Sequence, residues 1–208
     1  MRIDPAGLPF IGGALAAGLV SAAAAGWPVA APLLALSGFF GFFFRDPDRL
    51  TPPGDTLVVA PADGRVLVAG PAVAGLAPPG AWQQISIFLS PLNVHVNRIP
   101  VSGHVTRVVR TPGRFLPAYR DHAAAENERS EIWLDHHGQA IVVRQVVGVL
   151  ARRVVCRVAA GAEVRTGDRF GIMKFGSRMD VFLPLSATLI VSAGTSVRGG
   201  ETVVAVLH

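Results

Sequence analysis

The chain has 208 residues, of which 50% are hydrophobic, and it carries a formal net charge of +5. A single cysteine, Cys156, excludes an intrachain disulfide, and a single lysine, Lys174, leaves almost no site for a lysine-bound cofactor such as pyridoxal phosphate. The basic charge favours an anionic partner. Because the chain has no basic–aromatic stripe or recognition motif, it suits lipid head groups better than nucleic acid.

The N-terminal region is an uncharged apolar run from residue 7 to residue 44. A membrane-crossing helix needs about 20 residues, so the run is too long for one such helix. It is interrupted at Gly26-Trp27-Pro28, where proline breaks or kinks a helix. The pattern predicts two apolar helices, residues 8–25 and 29–44. Each is marginal for a full crossing, so two spans and a shallow re-entrant hairpin both stay open.

A cleaved signal peptide is the alternative interpretation of this run. Small residues at positions 22–25 could form a cleavage site. However, the positive charge of Arg2 is offset by Asp4, and a second apolar stretch follows at once, so we favour a retained anchor. Arg45 and Arg49 follow the run and favour the cytoplasmic face, because cytoplasmic flanks of membrane segments are enriched in basic residues.

The rest of the chain is predicted to be mostly β-strand. Short apolar or alternating runs are bounded by clusters of glycine, proline, aspartate and serine, which is typical of a compact β fold. One short helix, residues 121–129, and a hairpin turn at His136-His137-Gly138 are also predicted. We expect a mainly β protein, α+β overall, with an apolar helical hairpin (residues 1–50) and a compact β-sandwich or barrel-sandwich-like domain (residues 51–208). The predicted strands are 56–60, 65–69, 84–89, 104–110, 132–134, 140–149, 152–158, 169–173, 179–183, 188–192 and 202–207.

One segment of the β-rich domain recurs. Residues 161–168 and 194–201, which start 33 positions apart (194 − 161), share the pattern Gly-x-x-Val-Arg-x-Gly-acid, and each copy leads into an apolar strand. Glycines at such positions usually supply positive φ in turns. The repeat is similar to the turns of barrel-sandwich folds such as lipoyl and biotinyl carriers. Neither copy has the exposed lysine that a carrier needs, so the repeat indicates the fold and not a carrier function.

Three polar residues could carry chemistry: Asp63 before a glycine, His95 between two valines, and Ser177 after Gly176. They supply the residue types that activate a hydroxyl, with histidine as base and aspartate as its orienter. A chain of this length commonly contains such a set, and each position also fits a turn or a structural residue. The Gly-x-Ser-x-Gly elbow of α/β hydrolases is absent. Because Gly176 gives little steric cover, the Ser177 hydroxyl can reach the preceding carbonyl, which permits the chain to attack itself.

The remaining histidines show no metal-ligand spacing with a cysteine or a second histidine. The adjacent pair, His136 and His137, would point to opposite faces if it lay on a strand. The sequence therefore predicts no metal site and no role for these residues, which are His104, His122, His136, His137 and His208.

Several ordered motifs resemble one family. Phe175-Gly176-Ser177-Arg178, followed by Asp180-Val181-Phe182-Leu183-Pro184, is similar to the processing site of the short bacterial and archaeal-type phosphatidylserine decarboxylase proenzymes. The likeness runs in order from about residue 40 to the C-terminus. The other matching segments are Phe43-Phe44-Arg45-Asp46-Pro47, Ala60-Pro61-Ala62-Asp63-Gly64, residues 90–100, Phe115-Leu116-Pro117-Ala118-Tyr119, Glu126-Asn127-Glu128-Arg129 and Ile172-Met173-Lys174-Phe175.

The resemblance implies a self-processing enzyme. The chain would be cut at Gly176/Ser177 into a large chain, 1–176, and a small chain, 177–208, and Ser177 would become a covalent pyruvoyl group. That group would take the place of pyridoxal phosphate, form a Schiff base with the amine of phosphatidylserine, and release phosphatidylethanolamine and CO₂. The implied partners are the lipid, the membrane surface and the second chain of the heterodimer, with further oligomerisation left open. The implied location is the cytoplasmic face of the cell membrane.

The resemblance also assigns roles to individual residues. Asp63 and His95 match positions associated with activating the serine, and His95 could also act as the acid in decarboxylation. Longer members carry a second histidine three residues after the first, where this chain has Arg98. We therefore expect His95 to act in both steps. Arg98 is expected either to meet the lipid phosphate or substrate carboxylate or to be a structural arginine.

Three alternatives remain at the level of the sequence. A membrane-anchored serine hydrolase would use Ser177, His95 and Asp63 with a free hydroxyl. An archaetidylserine decarboxylase would use the same chemistry on a different lipid backbone. A membrane-tethered barrel-sandwich binding module would not need Ser177 at all.

Overall fold

The computed structural model describes residues 2–119, 123–149, 154–174 and 176–208, and the chain divides into two compact units, Met1–Asp48 and Arg49–His208. The first unit is a pair of apolar helices, and the second is built almost entirely of β-strands. The predicted fold class, mainly β with an apolar helical N-terminus, is therefore confirmed.

The two predicted helices are present in the first unit. α1 has its predicted bounds, whereas α2 starts at residue 27 and not at residue 29. Pro28 explains the difference, because the first turn of a helix tolerates a proline whose missing N–H would have no intrahelical acceptor. Gly26, at φ +84°, turns the chain between the helices. The elements of this unit are β1 (Arg2–Ile3), a 3₁₀ turn (Pro5–Gly7), α1 (Leu8–Ala25), α2 (Trp27–Phe43) and β2 (Arg45–Asp46).

The two helices pack side by side as a hairpin. The hydroxyl of Ser37 donates to the carbonyl oxygen of Ile11 at 2.9 Å. Gly18 lies so close to the side chain of Leu34 that a Cβ would not fit there. Because β1 pairs antiparallel with β2, both ends of the hairpin lie at the same end of the unit. Small residues and an isolated polar bond between apolar helices are typical of helix contacts in membranes.

The hairpin presents apolar side chains outward. Within the described residues, Pro5–Ala25 is the helical segment long and apolar enough to cross a membrane, and Trp27–Phe43 is shorter. Only 6% of the most apolar window of the first segment is buried. The exposed large apolar side chains of the unit are Ile3, Leu8, Leu15, Leu19, Val20, Trp27, Val29, Leu36, Phe39 and Phe42.

The second unit contains one short helix and fourteen strands in the part of the chain that the structure describes. Its elements are β3 (Leu57–Val59), β4 (Gly64–Pro71), β5 (Gln83–Leu89), β6 (Val96–Arg98), β7 (Gly103–Thr111), α3 (Ala123–Glu126), β8 (Arg129–His136), β9 (Gln139–Val146), β10 (Val155–Cys156), β11 (Glu163–Val164), β12 (Arg169–Ile172), β13 (Ser177–Leu183), β14 (Thr188–Leu189), β15 (Ser196–Val197) and β16 (Val203–Val206).

Every predicted strand overlaps an observed one, with bounds that differ by at most three residues (132 against 129). Residues 152 and 153 of one predicted strand lie outside the described residues. Strands β6, β11 and β15 were not predicted, because two or three residues are too few to show a period of two. The helix predicted over 121–129 ends earlier, since α3 (Ala123–Glu126) stops at Glu126 and β8 already begins at Arg129; residues 121 and 122 of the prediction lie outside the described residues.

The strands form one large sheet and two small ones. The large sheet is antiparallel, has the strand order β11-β7-β8-β9-β13-β5-β4-β15, and curls into a half-barrel. The small sheets have the orders β10-β12-β6 and β14-β16-β3. In β13, Met179, Val181 and Leu183 belong to the apolar core. Because side chains alternate along a strand, Ser177 points to the same face as these three.

The repeated segment of the sequence corresponds to two equivalent places in the large sheet. The N–H of Gly161 donates to the carbonyl of Val105 in β7 at 2.7 Å, and the N–H of Gly194 donates to the carbonyl of Val66 in β4 at 2.8 Å. Each copy then supplies an edge strand, β11 beside β7 and β15 beside β4. Both β7 and β4 carry a register irregularity just after the bonded valine. The two ends of the sheet are thus built alike.

Candidate active site

Ser177 is the first residue of β13, a central strand that pairs with β5 on one side and β9 on the other. Its side chain is fully buried, and its hydroxyl oxygen has no hydrogen-bond partner among the described residues. A buried hydroxyl without a partner costs about 1–3 kcal/mol, and such a group in a native protein calls for a specific explanation. The Ser177 hydroxyl therefore adds no hydrogen bond to the stability of β13.

Gly176 takes a backbone conformation that favours glycine. Its φ is +75°, in the left-handed region, where a side chain would be strained. Its carbonyl oxygen packs against Gly148, where an added Cβ would overlap that oxygen. Two glycines thus fix the orientation of the carbonyl that precedes Ser177.

His95 is fully buried and faces the same peptide. Its Nδ1 lies 3.0 Å from the carbonyl oxygen of Asn93, and a carbonyl can only accept, so Nδ1 carries the proton. The other ring nitrogen, Nε2, is then unprotonated, and it accepts the N–H of Gly176 at 3.4 Å. The imidazole is thus held in the tautomer that a general base requires, and the lone pair of Nε2 is directed at the backbone N–H of Gly176.

The loop before His95 fixes this tautomer. The side-chain oxygen of Asn93 accepts hydrogen bonds from the backbone N–H and the hydroxyl of Ser90, at 2.9 Å and 2.8 Å. The N–H of Asn93 in turn donates to the carbonyl of Ser90 at 2.9 Å. Sequence reasoning gave no role to Asn93. The Ser-Pro-x-Asn spacing was the available signal, because asparagine and serine side chains close such turns on their own backbone.

Asp63 is not the group that orients His95 Nδ1, because the Asn93 carbonyl occupies that position. The Asp63 carboxylate instead accepts two hydrogen bonds from Arg49, at 2.8 Å and 3.1 Å, and one from the N–H of Gly199 at 2.8 Å. Arg49 also donates to Glu201 at 2.9 Å. Like Asn93, Arg49 was not predicted to be part of the site. From the sequence it was expected only to mark the cytoplasmic flank of the apolar segment.

Glu201 stays ionised in this cluster. Desolvation raises the pKa of its carboxyl group, but hydrogen bonds from Arg49 and from the Leu50 N–H outweigh that effect, and the pKa lies below its ordinary value. Arg49 therefore bridges two carboxylates and ties the segment before β3 to the ends of β4 and β15.

Arg98 is buried, with 5% of its surface exposed. Its Nη1 donates to the carbonyl of Gly167 at 3.0 Å, and its side chain lies against Gly200, where a Cβ would not fit. These two glycines occupy equivalent positions in the two copies of the repeated segment. Arg98 thus braces both turns.

A buried ion pair follows the serine on the other face of β13. Arg178 Nε donates to Asp180 at 2.7 Å, and Arg178 Nη2 donates to the hydroxyl of Ser86 on β5 at 2.8 Å. Arg178 is 2% exposed and Asp180 is fully buried. Removing one partner of such a pair would leave an uncompensated buried charge, so the pair holds β13 in register right after the Gly176–Ser177 bond.

A cavity of about 600 Å³ lies beside this arrangement. Ser90 and Asn93 line one side, and Leu89, the residue before Ser90, pairs directly with Ser177. The lining also includes two arginines, Arg65 and Arg198. With these two arginines against one carboxylate, that of Asp63, the charged side chains of the lining are basic on balance, and the cavity adjoins the loop that positions His95.

Comparison with known proteins gives a consistent result. The sequence model of the phosphatidylserine decarboxylase family matches residues 36–205. The chain belongs to the phosphatidylserine decarboxylase family. This confirms the resemblance seen in the sequence motifs, and it makes the chain a decarboxylase, that is, a carbon–carbon lyase of the carboxy-lyase class.

Individual members of the family align over most of the chain. A protein of Nitratidesulfovibrio vulgaris is 42% identical over 207 residues, covering 99% of this chain and 94% of its own length. One of Geotalea daltonii is 43% identical, covering 96% and 94%. One of Pelodictyon phaeoclathratiforme is 44% identical over 164 residues, covering 79% and 77%. All three are named phosphatidylserine decarboxylase proenzyme.

Proposed function

We propose that this decarboxylase cuts itself between Gly176 and Ser177, converts Ser177 into a pyruvoyl group, and uses that group to convert phosphatidylserine to phosphatidylethanolamine. One observation carries the proposal: a buried serine hydroxyl without a partner follows a left-handed glycine whose N–H lies on the unprotonated nitrogen of a buried histidine. The names of the relatives support the substrate, and the word proenzyme supports the processing.

Self-cleavage needs only groups of this chain and one water. The Ser177 hydroxyl adds to the Gly176 carbonyl carbon while His95 Nε2 takes its proton. The C–N bond breaks, which leaves an ester and a free amine at residue 177. Removal of the Cα proton of that residue expels the Gly176 carboxylate and leaves a dehydroalanine. Addition of one water then releases ammonia and leaves a ketone at the start of the small chain, 177–208.

The residues around Ser177 fit such a group. The unpartnered oxygen, the fixed Gly176 carbonyl and the histidine tautomer are all required for its formation, and no lysine is needed. When present, a pyruvoyl group supplies an electron-withdrawing carbonyl that serves amino-acid decarboxylation as pyridoxal phosphate does. Overall, the lipid loses CO₂ and takes up one proton.

Each predicted site residue has a part in this proposal. His95 acts as the base in processing and holds a proton at Nε2 for the decarboxylation. Asp63 anchors Arg49 and Gly199 and so fixes one wall of the basic cavity. Of the two roles considered for Arg98, the structural one is favoured by its contacts with the Gly167 carbonyl and Gly200. Arg65 and Arg198 line the cavity and suit the anionic head group of the lipid.

The burial of Ser177 weighs against the serine hydrolase alternative. A hydrolase must present its serine hydroxyl to a substrate carbonyl, whereas this residue is fully buried in the protein. An archaetidylserine-type substrate would use the same site, so a panel of serine lipids with different backbones distinguishes the two decarboxylases.

Reductive trapping on the full-length protein tests the function. Denaturing mass analysis should show chains 1–176 and 177–208, the smaller one without a free N-terminal amine. Incubation with phosphatidylserine and cyanoborohydride should attach the lipid through its amine to the small chain only, with a mass increase equal to the lipid, or its decarboxylated product, less one oxygen atom. Phosphatidylcholine, which has no primary amine, is the matched lipid control. A small chain that begins with an intact serine amine, or a label on the large chain, would contradict the proposal.

We further propose a two-part organisation at the cytoplasmic face of the cell membrane. Residues 1–50 form the membrane-associating hairpin and residues 51–208 the catalytic domain. The length of α1, 18 residues or about 27 Å, falls just short of a bilayer core of about 30 Å. The short helix favours a re-entrant arrangement over two full spans. The pairing of β1 with β2 puts both ends of the hairpin on one side, which fits either arrangement. Arg45 and Arg49 favour the cytoplasmic side.

Charging the outer surface of α1 tests this anchor. We expect the double substitution Leu15→Lys/Leu19→Lys to move most of the protein from the membrane fraction to the soluble fraction, because each charge costs about 2.5–3.5 kcal/mol within a bilayer. Sedimentation of cell membranes, followed by immunoblotting, measures the distribution. Leu185→Lys, at an exposed leucine of the β-rich unit, is the control and should leave the distribution unchanged. Unaltered recovery of the double variant with membranes would contradict the anchor.

A further inference from the structure

The internal symmetry of the large sheet points to a second site. On the active-site side, Asp63 precedes β4, and its carboxylate accepts the N–H of Gly199 at 2.8 Å. At the equivalent place Ser102 precedes β7, and its hydroxyl oxygen accepts the N–H of Thr166 at 3.0 Å. Thr166 and Gly199 are themselves equivalent positions of the repeated segment (166 + 33 = 199).

The glycines that follow these residues are equivalent as well. A Cβ on Gly64 would overlap the carbonyl oxygen of Phe88 in β5, and a Cβ on Gly103 would overlap the carbonyl oxygen of Asp135 in β8. The residues after Phe88 are Leu89, which pairs with Ser177, and Ser90, which begins the His95 loop. The residues after Asp135 are His136 and His137. His136 and His137 are therefore equivalent in position to Leu89 and Ser90, the residues beside the candidate active site in the other half of the sheet.

A cavity of about 250 Å³ occupies this second position. Three of its residues, Asp55, His136 and His137, each offer a ligand atom, and these atoms lie within 4.8 Å of one another. The predicted hairpin turn at His136-His137-Gly138 is present, because β8 ends at His136 and the next two residues form the turn before β9. Opposite faces would apply only if both histidines lay on a strand; the turn instead brings their rings together, with centroids 4.5 Å apart.

His136 is held as a ligand would be. It is 5% exposed, and its Nδ1 lies 2.8 Å from the carbonyl oxygen of Ser102. Because a carbonyl can only accept, Nδ1 carries the proton and Nε2 keeps its lone pair. A backbone carbonyl on one imidazole nitrogen, which fixes the other for coordination, is the usual outer contact of metal-ligating histidines.

His137 occupies a position that normally belongs to asparagine or glycine. Its φ is +51° and that of Gly138 is +82°, as in a type I′ hairpin turn. Among the described residues it is the one residue other than glycine with positive φ. In this conformation its Nε2 reaches Asp55 Oδ2 at 2.6 Å. The hydrogen bond to His137 lowers the pKa of the Asp55 carboxyl group, so the carboxylate is ionised at neutral pH.

The other polar side chains of this cavity have partners within the protein. His104 pairs with Glu163 at 2.8 Å, and Asp135 accepts the N–H of Gly138 at 2.8 Å. The Ser102 hydroxyl bonds to that of Thr166 at 3.0 Å. The groups that remain as candidate metal ligands are the carboxylate of Asp55 and the imidazoles of His136 and His137. This set suits a borderline divalent ion, because imidazole prefers Zn²⁺, Co²⁺, Ni²⁺ or Cu²⁺ to Mg²⁺ or Ca²⁺.

We propose that Asp55, His136 and His137 form a binding site for a divalent transition-metal ion, of which Zn²⁺ is the representative. The ion would replace the proton shared by Asp55 and His137 and take the lone pair of His136 Nε2. It would join the segment before β3 to the β8–β9 turn. The site is separate from the Ser177 chemistry and does not depend on the proposed self-cleavage.

Metal titration of the full-length protein tests the site. Calorimetry with ZnCl₂ should show one ion bound per chain, and CoCl₂ should give the visible absorption of a low-symmetry Co²⁺ complex. Thermal unfolding should shift upward by a few degrees when the ion is in excess. MgCl₂ should give no comparable signal.

Substitution of His137 by asparagine is the decisive variant. His137→Asn suits the left-handed turn and so keeps the fold, but it removes one of three ligands, and we expect the affinity for Zn²⁺ to fall at least about 100-fold. Asp55→Asn should weaken binding in the same direction. His104→Gln is the matched control, because it removes an imidazole paired with a carboxylate in the same cavity and should leave the affinity unchanged. Zn²⁺ binding that survives His137→Asn, or that is lost with His104→Gln, would overturn the proposed ligand set.

Discussion

Substitution of Ser177 by alanine is expected to give a single chain of 208 residues that folds and has no decarboxylase activity. The hydroxyl of Ser177 has no partner among the described residues, so its removal breaks no hydrogen bond and leaves β13 in place between β5 and β9. The same atom is the proposed nucleophile and the proposed source of the cofactor, so activity is lost completely and not merely reduced. Denaturing mass analysis and a phosphatidylserine decarboxylation assay measure the two effects.

Ser130 provides a matched control for this variant. It is also a buried serine of the large sheet, and its hydroxyl oxygen likewise has no partner among the described residues. Ser130→Ala should be cut into two chains and remain active, whereas Ser177→Ala should be neither. A Ser177→Ala protein that decarboxylates the lipid would contradict the proposed mechanism, and one that is cut at residue 176 would contradict self-cleavage by this serine.

Substitution of His95 by glutamine is expected to slow self-cleavage by about 10²–10⁴-fold, which is the usual contribution of a general base. Glutamine can still accept the Gly176 N–H through its side-chain oxygen, so the loop and the cleavage site should keep their arrangement. It cannot take the proton of the Ser177 hydroxyl. Freshly synthesised protein should therefore accumulate as the uncut chain, and the rate at which chain 177–208 appears gives the size of the effect.

The mature fraction of His95→Gln separates the two roles of the histidine. Decarboxylation should be normalised to the amount of pyruvoyl-blocked small chain, and a rate below that of the parent assigns His95 to the lipid reaction as well. His208→Gln, at an exposed histidine bonded to Thr188, is the control for loss of an imidazole. Cleavage of His95→Gln at the parental rate would show that another group takes the serine proton.

Sequence patterns were sufficient for the architecture, because the signals there are long. The uncharged run before Arg45 and the alternating runs of β5, β7 and β13 each extend over several residues, so their periods are visible without a structure. The 33-residue repeat also indicated the internal likeness of the sheet. Edge strands such as β11 and β15 were not predicted. Each pairs over only two residues, and its strand conformation depends on the neighbouring strand and not on its own composition.

The candidate site was predictable only as a set of residue types. Ser177 and His95 lie together, but the group on His95 Nδ1 is a backbone carbonyl, which has no residue-type signature. The carboxylate of Asp63 is bound to Arg49, a residue 14 positions earlier whose partner follows from the closure of the sheet. The turn at His136-His137-Gly138 was predictable from its residues, but the approach of the two rings was not, because it depends on the positive φ of His137.

The proposed cut links the lifetime of the enzyme to the central place of β13. Before processing, β13 is continuous with the strands that precede it in the chain, and it folds with them as one molecule. After the proposed cut, β13 belongs to the separate small chain, 177–208. That chain is held by the pairing of β13 with β5 and β9, of β15 with β4 and of β16 with β3, and by the apolar core. A mature molecule that unfolds releases this chain and its cofactor together and has no covalent link to guide their return. Activity lost by unfolding is then restored by synthesis of a new precursor. Each new cofactor therefore requires the synthesis of a new protein chain.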